Sequence, residues 1–132
     1  MTTQQADFAV LYIGQIPETV DFSDPALPPG TDAAQIHAGV ASVMREMGAR
    51  GWHADLCLVP PDDTAATTVE RQLGQRRYDC VVIGAGIRMP PKNLLLFERL
   101  VNAMHRAAPQ AALAFNTMPL DTADAVARWR RT

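Results

Sequence analysis

Cysteine and long apolar runs are both scarce in this chain of 132 residues. Cys57 and Cys80 are the only two cysteines, which is too few for a disulfide framework and lacks the spacing of a zinc site. Each lies in an apolar stretch, which favours a buried structural thiol. No apolar run approaches the roughly 20 residues that a membrane span needs, so we expect no membrane partner. Segment 1–7 is polar and lacks the regions of a signal peptide, so we expect a cytoplasmic protein.

Cationic residues are also few, with 12 lysines and arginines against 14 acidic residues and a net charge of −2. Proteins that bind nucleic acid normally carry a basic surface, so this balance predicts no nucleic-acid partner. Hydrophobic residues make up 48% of the chain and charged residues 20%, which is typical of a folded globular protein. The length suits a single α/β domain over residues 1–132.

Predicted strands and helices alternate along the chain. Apolar stretches predict strands at 8–13, 53–59, 79–83 and 111–115. Helix starts are predicted at Asp32, at Asp62 or Asp63, at Asn93 and at Asp121. The first of these resembles a capping box, because Gln35 stands three residues after Asp32. This alternation predicts a parallel sheet covered by helices.

The order of the strands follows from their apolarity. The first and third strands read as continuous apolar runs, which indicates burial on both faces. The second carries Asp55 and the fourth is small and rich in alanine, so both suit an edge. The predicted fold is therefore a three-layer α/β/α arrangement, flavodoxin-like or Rossmann-like, with a four-stranded parallel sheet of order 2-1-3-4. The rival order 3-2-1-4 would place the most apolar strand at the rim.

Right-handed crossovers then assign the helices to layers. In this order the first helix covers one face of the sheet, and the second and third cover the opposite face. The first face needs further cover, so we expect the last helix to pack beside the first. The residues expected in that contact are Ala123, Val126, Ala127 and Trp129.

Across most of the chain this outline resembles response-regulator receiver domains. Receivers carry an acidic pair after the first strand and an acceptor aspartate at the end of the third. Here Ile13 and Gly14 occupy the first of those places, and Gly84 and Ala85 the second, so no phosphotransfer of that type is expected. The outline also resembles flavodoxins, but Gly-Gln-Ile-Pro at 14–17 replaces their hydroxyl-rich phosphate loop. We therefore expect no flavin and no other cofactor.

The connections between strands run toward one edge of the sheet before this point and toward the other edge after it, so their direction reverses between the first and third strands. Ligands in open α/β sheets bind in the crevice at such a reversal. The loop after the first strand, 14–30, forms one lip and contains four prolines within its length. Loops of that length are often functional, so one interpretation of this loop is a lid or a wall over the crevice. The alternatives are a loop packed on its own side chains and an arm that reaches a neighbouring subunit.

The loop after the third strand, 84–93, forms the other lip. Gly84 and Gly86 predict a tight turn that allows the backbone to approach a ligand closely. Arg88 suits a bidentate contact with a carboxylate or phosphate. The helix start at Asn93 presents N–H groups, and Lys92 precedes it. Together these features predict a site for a small anionic ligand.

An alternative interpretation of this loop is structural. Met89 stands where the dinucleotide fingerprint requires its third glycine. The glycines would then only permit a turn, and Arg88 and Lys92 would pair with acidic side chains across the crevice. The acidic candidates are Glu18, Asp21 and Asp24.

The candidate ligand-binding residues all belong to loops at the carboxyl edge of the predicted sheet. They are Gly14, Gln15, Gly84, Gly86, Arg88, Lys92, Asn93, Asn116 and Thr117. The phosphate loop of nucleotide hydrolases and the nucleophile elbow of serine hydrolases are both absent. No set of metal ligands is visible, and no residue stands out as catalytic. The sequence thus predicts binding of a small polar or anionic ligand and leaves open whether a reaction follows.

Helix 94–107 is richer in leucine than one buried face requires. Leu94, Phe97, Val101 and Met104 form one stripe, and further leucines lie outside it. The surplus predicts a second buried face and therefore a homo-oligomer. The alternative function is accordingly a non-enzymatic module for oligomerisation or protein interaction.

Overall fold

Four parallel strands form the centre of the computed structural model, which describes residues 8–130. The strands are β1 (Ala9–Gln15), β2 (His53–Val59), β3 (Cys80–Ile83) and β4 (Ala112–Phe115). Their order is β2-β1-β3-β4, so the predicted order is confirmed. The polar segment 1–7, on which the expected absence of a signal peptide depends, lies outside the described residues.

Burial along the strands follows the apolar patterns. Every residue of β3 and the first five residues of β1 are buried, whereas β2 and β4 are mostly half-buried. In register, Val10 of β1 lies between Ala54 of β2 and Cys80 of β3. The two strands with continuous apolar runs are therefore the central ones, as the sequence predicts.

The helices lie on both faces of the sheet. They are α1 (Ala33–Ala49), α2 (Ala65–Leu73), α3 (Ala85–Arg88), α4 (Leu94–Ala107) and α5 (Thr122–Ala127). The core on one face joins α1 and α5, and the core on the other joins α2 and α4. The predicted three-layer α/β/α arrangement, which is flavodoxin-like, is therefore confirmed.

Helix α1 begins with the predicted capping box. The carboxylate of Asp32 accepts a hydrogen bond from the backbone N–H of Gln35 at 2.8 Å. The side-chain oxygen of Gln35 accepts from the backbone N–H of Asp32 at 3.2 Å. After the helix, Gly51 adopts a φ of 85°, a conformation that favours glycine, and turns the chain into β2.

Two helix predictions need correction. Ala123 and Val126 are buried beside α1 as expected, but Ala127 and Trp129 are exposed. The reason is that α5 ends at Ala127, so Trp129 lies beyond the stripe that faces the sheet. Helix α2 begins at Ala65, and not at Asp62 or Asp63, because Asp62 forms a turn before it by accepting from the Thr64 backbone N–H at 2.9 Å.

A further correction concerns the segment after β3. The sequence predicts a tight glycine turn there, whereas the chain forms the one-turn helix α3, with Gly84 at its N-cap and a φ of −67°. Gly86 also lacks a positive φ. In the described part of the chain, the glycines with a positive φ are Gly30 and Gly51. Neither glycine after β3 is thus required by an unusual backbone angle.

Candidate functional site

A cavity of about 290 Å³ opens at the carboxyl edge of the sheet, between the two predicted lips. Its lining consists of Gln15, Thr19, Val20, Asp21, Asp24, Leu27, Pro61, Gly86, Pro90, Lys92 and Asn93. Gln15 ends β1, the residues up to Leu27 follow it, and those from Gly86 onward follow β3. The cavity therefore lies where the strand order reverses, which is the usual ligand position in an open α/β sheet.

The loop after β1 is held by its own hydrogen bonds and by α1. A short 3₁₀ turn, Pro17–Thr19, follows the strand, and the Gln15 amide donates to the Thr19 carbonyl at 3.1 Å. Glu18 pairs with His37 of α1 at 2.8 Å, and the hydrogen bond with His37 lowers the pKa of Glu18. The loop thus forms an ordered wall of the cavity.

Lys92 joins the two lips of the cavity. Its ammonium group donates a hydrogen bond to the carboxylate of Asp21 and lies 3.9 Å from that of Asp24. The hydrogen bond from Lys92, with further bonds from Ser23, holds the pKa of Asp21 at about 2. The pairing across the crevice that the sequence offered as an alternative is therefore present for Lys92.

Asp24 is the most enclosed charged side chain of the lining, with only 8% of that side chain exposed. Its Oδ1 accepts a hydrogen bond from the backbone N–H of Ala26 at 2.9 Å. Among the described residues, no donor forms a hydrogen bond with its Oδ2, although Lys92 lies within ion-pair distance. One oxygen of this largely enclosed side chain therefore remains available at the cavity.

Two side-chain amides complete the polar lining. The Asn93 amide nitrogen donates to Oε1 of Gln15 and to the carbonyl of Gly86, both at 3.3 Å. Asn93 immediately precedes α4, as predicted, but its side chain caps none of the N–H groups of that helix. It connects the ends of β1 and α3 instead and contributes an amide to the cavity.

Arg88 and Asn116 are placed together but outside the cavity lining. An Nη atom of Arg88 donates to the backbone carbonyl of Asn116 at 2.7 Å, and its guanidinium lies 5.8 Å from the ring centre of Phe115. Oδ1 of Asn116 accepts from the N–H of Ala85 at 2.7 Å, and its amide nitrogen donates to Thr122 at 2.8 Å. This pair thus connects the segments after β3 and β4. The side-chain oxygen of Asn116 occupies the N–H group at the start of α3 that an anion could otherwise bind.

The remaining predicted residues, Gly14, Gly84 and Thr117, lie outside the cavity lining and have structural contacts. A Cβ on Gly14 would lie 3.3 Å from the side chain of Leu58, and one on Gly84 would lie 3.4 Å from Tyr12. Both glycines therefore permit close packing. The Thr117 N–H donates to the carboxylate of Asp121 at 3.0 Å, so Thr117 belongs to the turn before α5. Gln15, Gly86, Lys92 and Asn93 are consequently the predicted residues that line the cavity.

Several lining residues were not among the predicted ones. Thr19, Val20 and Leu27 lie in the predicted lip, whereas Pro61 follows β2. The signal for Pro61 was its position directly after the second strand, since carboxyl ends of neighbouring parallel strands meet at one edge. Its proline ring carries no polar group that would have suggested a ligand contact.

The chemistry available in the cavity is that of binding. The lining offers two carboxylates, two amides, a threonine hydroxyl and an ammonium group, but no histidine, cysteine or serine. Within residues 8–130, no group of three or more metal-ligating side chains is placed to hold a metal ion.

In the same range, no helix combines the length and the apolar character required to cross a bilayer.

No protein-family model matches the chain, and no curated protein sequence shows significant similarity to it.

Proposed function

We propose that this protein binds a small polar molecule in the cavity between the segments after β1 and β3. The observation that carries the proposal is the cavity itself, about 290 Å³ in volume and situated where the strand order reverses. Its size is close to the lower limit of about 300 Å³ for small-molecule sites. The amides of Gln15 and Asn93 and the carboxylate of Asp24 support a ligand with hydrogen-bonding groups.

A matched pair of glycine variants tests this site. Gly86 lines the cavity and Gly48 lies on α1, and a Cβ at either position would meet no atom within 4 Å. Both lie in helices, where replacement of glycine by leucine stabilises by about 0.5–1 kcal/mol. Gly86→Leu places a side chain at the cavity, whereas Gly48→Leu places one on α1, which contributes no residue to the lining.

Thermal-shift screening of polar metabolites against the wild type and both variants is the experiment. We expect at least one compound to raise the melting temperature of the wild type and of Gly48→Leu but not that of Gly86→Leu. A library without any stabilising compound, or stabilisation that persists in Gly86→Leu, would contradict a ligand site in this cavity.

We also propose self-association through the start of α4 as a second candidate function. Leu94 and Leu95 are 62% and 56% exposed, while Leu96 and Leu100 are buried in the core. The leucine surplus is thus concentrated at the first turn of the helix. Exposed apolar side chains of this kind favour a protein contact.

Sedimentation velocity distinguishes this candidate. We expect the wild type to sediment as an oligomer and Leu95→Glu to sediment as a monomer. Ala41→Glu, at an exposed position of α1, is the control and should behave as the wild type. A wild-type monomer over the accessible concentration range would remove the support for homo-oligomerisation.

We also propose a cytoplasmic location for the protein. Cys57 and Cys80 are free, buried thiols, which is compatible with a reducing compartment. Fractionation of cells that express the protein tests this location, and recovery outside the cytoplasmic fraction would contradict it.

A further inference from the structure

Negative charge predominates around the cavity. The segment after β1 contributes the carboxylates of Asp21 and Asp24 to the lining, and Lys92 is the lining's sole lysine or arginine within the described chain. The turn after β2, which contributes Pro61, continues with Asp62 and Asp63. Such an arrangement attracts cations and repels anions as they approach.

The two cations that the sequence offers to an anion are both bonded to other groups of the chain. The ammonium group of Lys92 is hydrogen-bonded to Asp21. The guanidinium of Arg88 donates to the carbonyl of Asn116 and is absent from the lining. A phosphate or carboxylate would therefore have to break the Lys92 pair and then face two carboxylates.

Asp24 presents the complementary feature for a cation. Its side chain is more than nine-tenths buried, and its Oδ1 is occupied by the N–H of Ala26. Its Oδ2 accepts no hydrogen bond from residues 8–130, and the ammonium of Lys92, at 3.9 Å, is beyond hydrogen-bond distance. A carboxylate oxygen can accept more than one hydrogen bond, so this unbonded oxygen provides a position for a donor from outside the chain.

We propose that the cavity selects a small organic cation, with a primary ammonium group bound to Oδ2 of Asp24 and the remainder held by Gln15 and Asn93. The half-buried side chains of Val20 and Leu27 provide apolar wall for a short aliphatic chain. This inference rests on the proposed ligand site and specifies the chemical class that the site takes.

Three probes of equal chain length test the class directly: 1,4-diaminobutane, 1,4-butanediol and succinate, with inorganic phosphate as a further anion. Isothermal titration measures each affinity for the wild-type protein. Hydrogen bonds to a charged partner lead us to expect that the diamine binds about tenfold more tightly than the diol. Succinate and phosphate should bind more weakly than the diol.

Variants at two positions give opposite expected effects. Asp24→Asn keeps an Oδ1 acceptor for the N–H of Ala26 but removes the charge, so diamine affinity should fall about tenfold. Lys92→Met removes the competing ammonium group, so diamine affinity should rise. Asp63→Asn, at an exposed position outside the lining, is the control and should leave the affinity unchanged. Circular dichroism verifies that each variant is folded.

The outcomes separate this inference from the proposed function. Succinate or phosphate binding that Gly86→Leu abolishes and Lys92→Met weakens would show an anion site, so the ligand class would be wrong while the ligand site stands. Diamine binding that Asp24→Asn leaves unchanged would also overturn the inference. Binding of no probe, together with a metabolite library without hits, would overturn both.

Discussion

The guanidinium of Arg88 donates to the backbone carbonyl of Asn116 across 2.7 Å, and this bond connects the segments that follow β3 and β4. This bond explains why Arg88, which the sequence predicts to contact an anionic ligand, is absent from the cavity lining. Asn116, only 1% exposed, completes the connection by accepting from the N–H of Ala85 at the start of α3. The two side chains therefore organise the carboxyl edge of the sheet.

Removal of the Arg88 donor should lower stability. Arg88→Met keeps the apolar stem beside Phe115 but leaves the Asn116 carbonyl without this partner. We expect the free energy of unfolding to fall by about 1 kcal/mol. The substitution loses a hydrogen bond from a charged donor. It also removes a buried Nε that has no partner among the described residues, which partly offsets this loss. Urea denaturation measures the change. Arg99→Met, at an exposed position of α4, is the control and should lie within error of the wild type.

Asn116→Ala should have a larger effect. This substitution removes the acceptor of the Ala85 N–H and the donor to Thr122, and all three residues lie in or near the core. Because buried groups lose their partners, we expect a loss of about 2–3 kcal/mol in urea denaturation. Asn102→Ala removes an exposed amide that bonds to the carbonyl of Glu98, so it should cost much less. Equal effects of the two substitutions would contradict this role of Asn116.

The strand order was predictable because burial leaves a simple pattern in the sequence. A strand covered on both faces needs apolar residues at every position, as in Val81, Val82 and Ile83 of β3. Asp55 in β2 is tolerated because an edge strand allows its carboxylate to reach Arg76 and other polar partners. The extent of α5 was not predictable in this way, since both faces of its last turn contain apolar residues, and Trp129 lies beyond the helix end.

The position of the cavity was predictable from the sequence, but only part of its lining was. The crevice follows from topology, and the pairing of Lys92 with Asp21 was one of two interpretations of the same charges. Helix α3 was missed because its first N–H is bonded by Asn116, which lies 31 positions away in sequence. The same distant residue determines the direction of Arg88. Local patterns carry no signal for contacts of this kind.

The pairing of Asp21 with Lys92 has a measurable consequence at low pH. The hydrogen bond from Lys92 lowers the pKa of Asp21 from its ordinary 3.8 to about 2. Because the pKa is lower in the folded protein, the stability from this carboxylate is present above about pH 4 and is lost as the pH falls toward 2. NMR titration of the Asp21 carboxyl should show the low value in the wild type. In Lys92→Met the pKa should rise toward its ordinary value.

High salt provides a second check on this pair. Asp21 and Lys92 are both substantially exposed, so salt screens their attraction. The wild-type pKa of Asp21 should therefore rise as the salt concentration increases, whereas the pKa in Lys92→Met should change less. A wild-type pKa near 3.8 at low salt would mean that the pair across the crevice does not form in solution.

The last prediction concerns alkaline pH and the opposite end of the strands. The Tyr78 hydroxyl donates to Oδ2 of Asp55 at 2.6 Å and accepts from the Gln72 amide at 2.9 Å. Burial, followed by the hydrogen bond to Asp55, raises the pKa of Tyr78 to about 12 from its ordinary 10. The folded protein retains the proton more strongly than the unfolded chain, so stability should fall as the pH rises from 10 to 12.

Tyr78→Phe isolates this contribution. The variant should be less stable near neutral pH, because Asp55 and Gln72 lose their bond to the hydroxyl. Its stability should nevertheless decline less steeply between pH 10 and 12, since it lacks the group that titrates, and the difference between the two proteins should narrow by about 2 kcal/mol at most. Burial also raises the pKa of Tyr12, which both proteins contain, so the comparison between them is the relevant measurement. Parallel stability curves over this pH range would show that the Tyr78 proton is not coupled to folding.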